Sequence, residues 1–368
     1  MGFTRRKLLI GGGGALALGA GAAVLLRGFD DQPERDIPAH VPPELRNAAL
    51  DVHVHALGTG TGGSGCWMHE SFRSSIQVRA GLWCYRLRLS QPDLDQAYIE
   101  YLRTRMKRAG FLKQAVLLAM DYSHTAAGQR SAAHTPFFTP NDYVARLARD
   151  YAEFLFGASI HPYRPDALDE LDRVAAMGAV LVKWIPNVQA IDLRDSRCRA
   201  FYGKLAVHKI ALLSHAGDEQ ATFVAGQEYG DPRRLVAPLE EGVTVIAAHA
   251  ASLGQRDGKS NLQWLTEMIS RWPNLYVDTS ALTLVTRGRT LRPIIEDSAL
   301  RARLIHGSDF PLPPAATMYF GSMPLSAWWD SWKRENPLMR DFLLKQALGM
   351  PADAYTRGYK VLAPRIRQ

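Results

Sequence analysis

The chain has 368 residues, of which 47% are hydrophobic and 22% charged, a composition that supports a large buried core and excludes a disordered or fibrous protein. Its formal charge of +8 overstates the folded part. Arg5, Arg6, Lys7 and Arg27 all precede the first acid, Asp30, and without them the excess is four. With no basic run and no nucleic-acid motif, the charge argues against a nucleic-acid partner. The three cysteines, Cys66, Cys84 and Cys198, show no CxxC spacing and set no disulfide framework, although Cys66 and Cys84 could pair in an oxidising compartment.

The chain opens with "TRRKLLIGGGGALALGAGAAVLL", twin arginines followed by a mildly apolar Gly/Ala/Leu stretch. It resembles a bacterial twin-arginine export signal, so residues 1–30 read as a signal, with Ala20-Gly21-Ala22 the best cleavage candidate, or as an uncleaved membrane anchor. Either places the protein outside, periplasmic or anchored facing outward, and any membrane contact runs through this segment alone. Because that route carries folded proteins, a metal could be loaded before export. The proline-rich, polar residues 31–47 read as a linker, and residues 48–368 as the folded domain.

From Ala48 onward, short apolar or β-branched runs alternate with amphipathic helical stretches. The strands read as "AALDVHV", "QAVLLAM", "FLFGASI", "AVLVKWI", "IALLSHA", "VTVIAAHA", "NLYVDTS" and "RLIHGSD". Helical patterns such as "PDLDQAYIEYLRTRMKRAG", "DALDELDRVAAMG" and "NLQWLTEMISRW" separate them. Eight strands in this order predict an α/β fold, a (β/α)8 TIM barrel. A doubly wound open sheet is the rival, but no GxGxxG turn follows the first strand. The Trp-rich segment after Asp309 predicts a C-terminal helical extension on the barrel's outside or rim.

Active sites of such barrels lie at the C-terminal ends of the strands. Here the first strand ends in His53 and His55, the fourth in Lys183, the fifth in His215, the sixth in His249 and the eighth in Asp309. An HxH pair alone is a weak signal, but side-chain alternation lets both rings face one side, and the other strand ends add compatible N and O donors. The set suits zinc, manganese or iron, with zinc the leading expectation and one or two ions bound.

These residues carry a resemblance to metal-dependent hydrolases of the amidohydrolase superfamily, in particular to the branch that includes aminocarboxymuconate semialdehyde decarboxylase. "LDVHVH" is similar to its first-strand HxH motif, "SHAGDE" and "AAHAAS" to its fifth- and sixth-strand histidines, and "HGSDFP" to its eighth-strand signature; "GASIHP" resembles a third-strand pattern in which His161 is structural. "HAAS" departs where the branch often has glycine after the histidine. The resemblance implies that His53, His55, His215 and Asp309 hold one metal, with His249 near the reacting group or on a second ion. A carbamylated Lys183 would bridge two ions; an unmodified Lys183 would instead pair with a substrate carboxylate, because an ammonium has no lone pair to donate.

A divalent ion lowers the pKa of a coordinated water towards about 7, so a hydrolase chemistry follows, with Asp309 as proton acceptor and donor and His249 as an oxyanion stabiliser. Asp51 is expected to point with the histidines, either orienting one of them or simply buried. His306 reads as a satisfied core residue or a site neighbour, and His124 and His134 as groups near the barrel mouth. The glycine-rich "GTGTGGSGCWM" before His69 and Glu70 suits a lid. The insertion through Arg73, Arg79, Trp83, Tyr85, Arg86 and Arg88 reads as a recogniser of an anionic or ring-bearing substrate, or as a solvated basic face. Trp184 and Asn187 line the pocket or fill gaps, and Trp328, Trp329 and Trp332 pack.

The leading reading is a hydrolase of an amide, ester or lactone of a small molecule, with an anionic one left open. A nonoxidative decarboxylase of a carboxylated substrate is the alternative, favoured by a free Lys183 beside a site arginine, and a non-catalytic ligand-binding barrel is third. A homo-oligomer is left open.

Overall fold

The computed structural model describes residues 40–366. The predicted signal and most of the linker lie outside the described residues. Among the described residues no helix is long and apolar enough to cross a membrane.

All eight predicted strands form, in sequence order, one parallel sheet: β1 Ala49–His55, β2 Leu112–Leu118, β3 Phe154–Ala158, β4 Leu181–Trp184, β5 Ala211–His215, β6 Val245–Ala248, β7 Leu275–Asp278 and β8 Leu304–Ile305. The sheet curls until β8 meets β1. Val52 N–H donates to His306 O at 3.1 Å, Asp309 N–H to His53 O at 2.9 Å and His55 N–H to Phe310 O at 2.8 Å, which closes the (β/α)8 barrel.

The apolar positions explain why this closure holds. Leu50, Val52, Leu118, Leu181, Leu213, Ile246 and Ile305 form one buried cluster inside the strands, and a larger cluster fills the layer between strands and helices. The register of β1 on β2 slips between Asp51 and Val54. Such an irregularity interrupts simple alternation. Asp51 therefore does not follow the histidines as expected: its Oδ1 accepts from the backbone N–H groups of His53 and Ser308, each at 3.0 Å, and so ties β1 to β8.

The C-terminal helices Leu325–Lys333, Pro337–Ala347 and Ala352–Leu362 complete the fold. The last of them does more than cover the outside. Leu362 joins the inner cluster, and a side chain at Gly358 would meet Val52, Leu50 and Ile305, so glycine permits the helix to lie directly on the strands. Arg365 then donates to Ala179 O and Ala175 O just before β4 begins, which places this helix at the barrel's N-terminal end. Val41 and Leu45, in the stretch read as linker, are also buried against the barrel.

One alternative and one expectation for the segment after β1 are not met. Cys66, Cys84 and Cys198 are buried thiols, and no disulfide joins Cys66 to Cys84. The glycine-rich stretch is no loose lid either, because it wraps the buried carboxylate of Asp95, which starts the Leu94–Ala109 helix. Thr59 N–H donates to Asp95 Oδ1 at 2.7 Å, and Gly60 N–H and Ser64 Oγ–H donate to Oδ2. At Gly58 a Cβ would stand 2.3 Å from Asp95 Oδ2, so only glycine fits. Asp95→Ala strands these buried donors, and we expect a loss of about 2–4 kcal/mol in urea unfolding. A change below about 0.5 kcal/mol would show that the loop does not depend on that carboxylate.

Candidate active site

His53, His55, Lys183, His215, His249 and Asp309 all line one cavity of about 330 Å³ at the C-terminal ends of the strands. His53, His55 and Asp309 offer ligand atoms within 4.8 Å of one another. Asp309 Oδ1 lies 3.3 Å from His53 Nε2 and 3.2 Å from His55 Nε2. His215 stands outside that tight group; its ring is 4.8 Å from that of His249, and its Nδ1 lies 3.3 Å from Glu219 Oε2.

The hydrogen-bond network assigns the protons. His53 Nδ1 is 2.7 Å from Asp278 Oδ2, and since a carboxylate can only accept, Nδ1 carries the hydrogen. Its Nε2 therefore presents a lone pair to Asp309, with no hydrogen-bond partner of its own. His249 Nδ1 lies 3.0 Å from the carbonyl of Ser280, so its hydrogen also sits on Nδ1. The neutral ring thus offers a lone pair, not a proton, at Nε2.

Electrostatics preserve this pattern. Burial keeps His53, His215 and His249 neutral, pulling the last down to about 3. Burial pushes the Asp309 carboxyl up, but the His53 and His249 rings and a hydrogen bond from His55 outweigh it and hold it well below the usual carboxylate range. Asp278 is likewise held low by His53 and His249 against its burial. Lys183, 1% exposed, is drawn down to about 8 by burial and pulled back up by Asp278, Asp309 and Glu219. Among the described residues it has no hydrogen bond or ion pair at Nζ.

Backbone conformation sets two of these side chains. His249, Ala250 and Ala251 take φ of 58°, 48° and 49°, and Asp309 takes 63°, all in the left-handed region that favours glycine. Each such residue costs roughly 1–3 kcal/mol, so the surrounding packing must impose it. The alanine that replaces the branch's glycine in "HAAS" therefore keeps the backbone glycine would favour.

Three polar residues escaped the sequence reading. Asp278 ends β7 and was detectable by the same strand-end rule; it takes the role imagined for Asp51, orienting the His53 ring. Its Oδ1 also accepts from His249 N–H at 2.8 Å and from Ser280. Glu219 and Arg287 lie in loops and share the cavity. Burial raises the Glu219 carboxyl, partly offset by Ala221 N–H and Arg287. Arg287, 5% exposed, donates to Ser252 Oγ at 2.9 Å and to Asp218 O at 3.2 Å.

Residues 50–322 match the amidohydrolase family. The chain belongs to that family. No curated protein matches the sequence. Among solved structures, the amidohydrolase fold here is similar to an uncharacterised TIM-barrel protein from Bordetella bronchiseptica, with 18% identity, a TM-score of 0.56, and 87% of this chain and 99% of that one covered. It is also similar to 5-carboxyvanillate decarboxylase from Sphingomonas paucimobilis, with 11% identity, a TM-score of 0.50, and 87% and 99% covered. N-isopropylammelide isopropylaminohydrolase from Burkholderia multivorans aligns at 16% identity and a TM-score of 0.45, with 85% and 74% covered. These likenesses are of fold.

Several candidate residues fall outside the amidohydrolase site. His124 Nδ1 donates to Tyr122 O at 3.0 Å, exposed His134 bonds Ser131 Oγ, and neither lines the cavity. His69 caps a short helix by accepting from Ser71 N–H. His161 donates through Nε2 to Gln189 O at 2.8 Å and is structural in this barrel. Trp184 is fully buried on Phe201 and Tyr202, while Asn187 bonds Gly217 O and Gln227. Trp328, Trp329 and Trp332 pack on one another.

His306 lies in the core against Phe111 and Tyr355, but it is not satisfied: neither ring nitrogen has a partner, and the nearer one is 3.9 Å from Asp51 Oδ2. Beside it, fully buried Lys345 donates to Gly307 O at 2.7 Å and to Asp341 Oδ2 at 2.6 Å. The Pro337–Ala347 helix thus props the loop that carries Asp309. Lys345→Met leaves the Asp341 charge buried and uncompensated, for an expected loss of about 3–5 kcal/mol by denaturant unfolding, and Lys345→Met with Asp341→Leu should recover part of it. Equal stability of all three proteins would remove the prop.

Proposed function

We propose that the chain is an exported, metal-dependent hydrolase that attacks an amide, ester or lactone of a small molecule bearing a carboxylate. The observation that carries this reading is the convergence of the Asp309 carboxylate and the His53 and His55 rings on one buried point, where the lone pair on His53 Nε2 faces Asp309 Oδ1 with no proton between them. Two facing lone pairs, on His53 Nε2 and Asp309 Oδ1, repel unless a cation sits between them. The donors therefore fit a divalent ion, and their N and O chemistry suits zinc, manganese or iron. His215, with a buried Nε2 that has no partner, would add a ligand from the neighbouring strand.

When bound, such an ion supplies a Lewis acid and makes a water acidic enough to lose its proton near neutral pH. The chain's own residues do the rest. Asp278 holds the His53 ring and fixes its tautomer. Asp309 accepts the proton of the attacking water and returns it to the leaving group. His249 Nε2 is available as a base or a further ligand.

Lys183 and Arg287 are two buried cations in the same cavity, and a carboxylate between them would relieve both. We assign Lys183 to the substrate in its unmodified form, with one ion in the site. The same pair favours the second reading, nonoxidative decarboxylation, and the motif resemblance to the aminocarboxymuconate semialdehyde decarboxylase branch supports it too. In that reaction CO₂ leaves with its bonding electrons left on carbon, and Glu219, whose carboxyl burial pushes towards the protonated form, would deliver a proton there.

Elemental analysis of protein purified without chelators should find one ion per chain in wild type and in Lys183→Ala. Two ions falling to one or none in the variant would replace this assignment with a carbamate bridge, and none in either would remove the mechanism. Asp278→Asn should weaken metal retention about 10- to 100-fold in chelator competition. Across a panel of carboxylated amides, esters and lactones, Arg287→Met should raise KM on the order of 100-fold with little change in kcat. Release of CO₂ instead of a new carboxylic acid would select the second reading.

A further inference from the structure

A second chamber of about 100 Å³ lies against the main cavity, and the two share a wall that includes Leu57, Phe72, Ala221 and Leu312. The rest of it is built largely by the segment between β1 and the Leu94–Ala109 helix, with Val78, Gly81, Leu82, Tyr85 and Leu89 on one side. No charged side chain lines it among the described residues. The two phenol hydroxyls in its wall are already engaged, Tyr85 donating to Pro311 O at 2.6 Å and Tyr98 to His55 O at 2.5 Å. Arg73, Arg79, Arg86 and Arg88, which made this insertion look like an anion recogniser, are all exposed and none lines the chamber. What faces inward is almost entirely apolar surface.

We propose that this chamber is a substrate subsite for an apolar substituent, a phenyl ring or short alkyl chain, on a molecule whose anionic end meets Lys183 and Arg287. The assignment of the anionic end rests on the function proposed above; the chamber's own chemistry does not. An apolar cavity of about 150 Å³ accepts benzene in a protein interior, so this chamber of about 100 Å³ is of a size for a short alkyl chain of roughly four carbons, or for a ring that displaces part of the wall it shares with the main cavity. The substrate is thus an amphiphilic carboxylate, charged at one end and greasy at the other. Position 81 allows this to be tested cleanly. Gly81, within the Ile76–Cys84 helix, lines the chamber, and a Cβ built on it meets nothing within 4 Å, so a larger side chain fits there without displacing backbone.

The test uses the metal-containing full chain and compares butyrate with 4-phenylbutyrate by calorimetry. Wild type should bind the phenyl compound at least tenfold more tightly, with a gain of about fourfold for each methylene added in the straight-chain acids until the chamber fills. Gly81→Phe should bind butyrate and 4-phenylbutyrate alike. Leu82→Ala, which enlarges the chamber, should shift the preference to 4-naphthylbutyrate and serves if Gly81→Phe does not fold. Equal affinities in wild type, or a phenyl gain that survives in Gly81→Phe, overturn the proposal. If no carboxylate binds, the Lys183–Arg287 assignment fails by itself, and neutral benzyl alcohol then decides the chamber by ligand-observed NMR. Its binding to wild type and not to Gly81→Phe upholds the subsite; no binding to wild type overturns it.

Discussion

The seam between the first and last strands is the constraint on which the rest of this molecule depends. The same hydrogen bonds that close the barrel assemble the site: Asp309 N–H on His53 O brings the carboxylate of one strand end against the imidazole of the other. Asp51 reinforces the seam from below by accepting from both His53 and Ser308. Fold and chemistry therefore share one set of contacts, and a chain that failed to close its barrel would have no site to lose.

Bringing so many acceptors together has an electrostatic cost that the fold manages by burial and by fixed tautomers. Asp278 is the organising group, since it orients His53 through one oxygen and, through the other, anchors His249 N–H and Ser280. On the far side, the buried Lys345–Asp341 pair lies under the Gly307 carbonyl and holds the loop from beneath. Lys183 and Arg287 differ in kind from this pair. Among the described residues no carboxylate hydrogen-bonds Lys183, although Asp278, Asp309 and Glu219 act on it from farther off, and the hydrogen bonds of Arg287 go to a hydroxyl and a carbonyl, so both can still meet an anion that enters the cavity.

The strand order and the His/Asp strand ends were legible because both are local properties: periodicity marks a strand, and its last residue marks the barrel's mouth. His53, His55, Lys183, His215, His249 and Asp309 share one cavity for that reason. Asp278 obeyed the same rule and was overlooked inside "VDTS", where it reads as an ordinary strand end. Asp51 misled because a register slip in β1 is invisible to a period-two argument. Glu219 and Arg287 lie in loops, where position depends on long-range packing and no spacing rule reaches. The glycine-rich stretch shows the same limit: its partner, Asp95, sits more than thirty residues away from the loop it holds, so a tethered cradle and a mobile lid have the same composition.

That tether has a consequence for specificity. Because Asp95 fixes the loop at the base of the Leu94–Ala109 helix, the insertion that follows is held over the barrel mouth as a wall, not a flap, and its inward face is set by packing before any ligand arrives. A preformed apolar wall gives up less ordering entropy on binding than a loop that must close. The insertion's arginines then serve to keep its outer face in water while Phe72, Val78, Leu82, Tyr85 and Leu89 line the chamber, which is how a short, strongly basic sequence comes to border a neutral space. Composition alone points to the charge; the direction of each side chain, decided by Asp95 and by Tyr85 and Tyr98 gripping Pro311 and His55, points to the opposite chemistry.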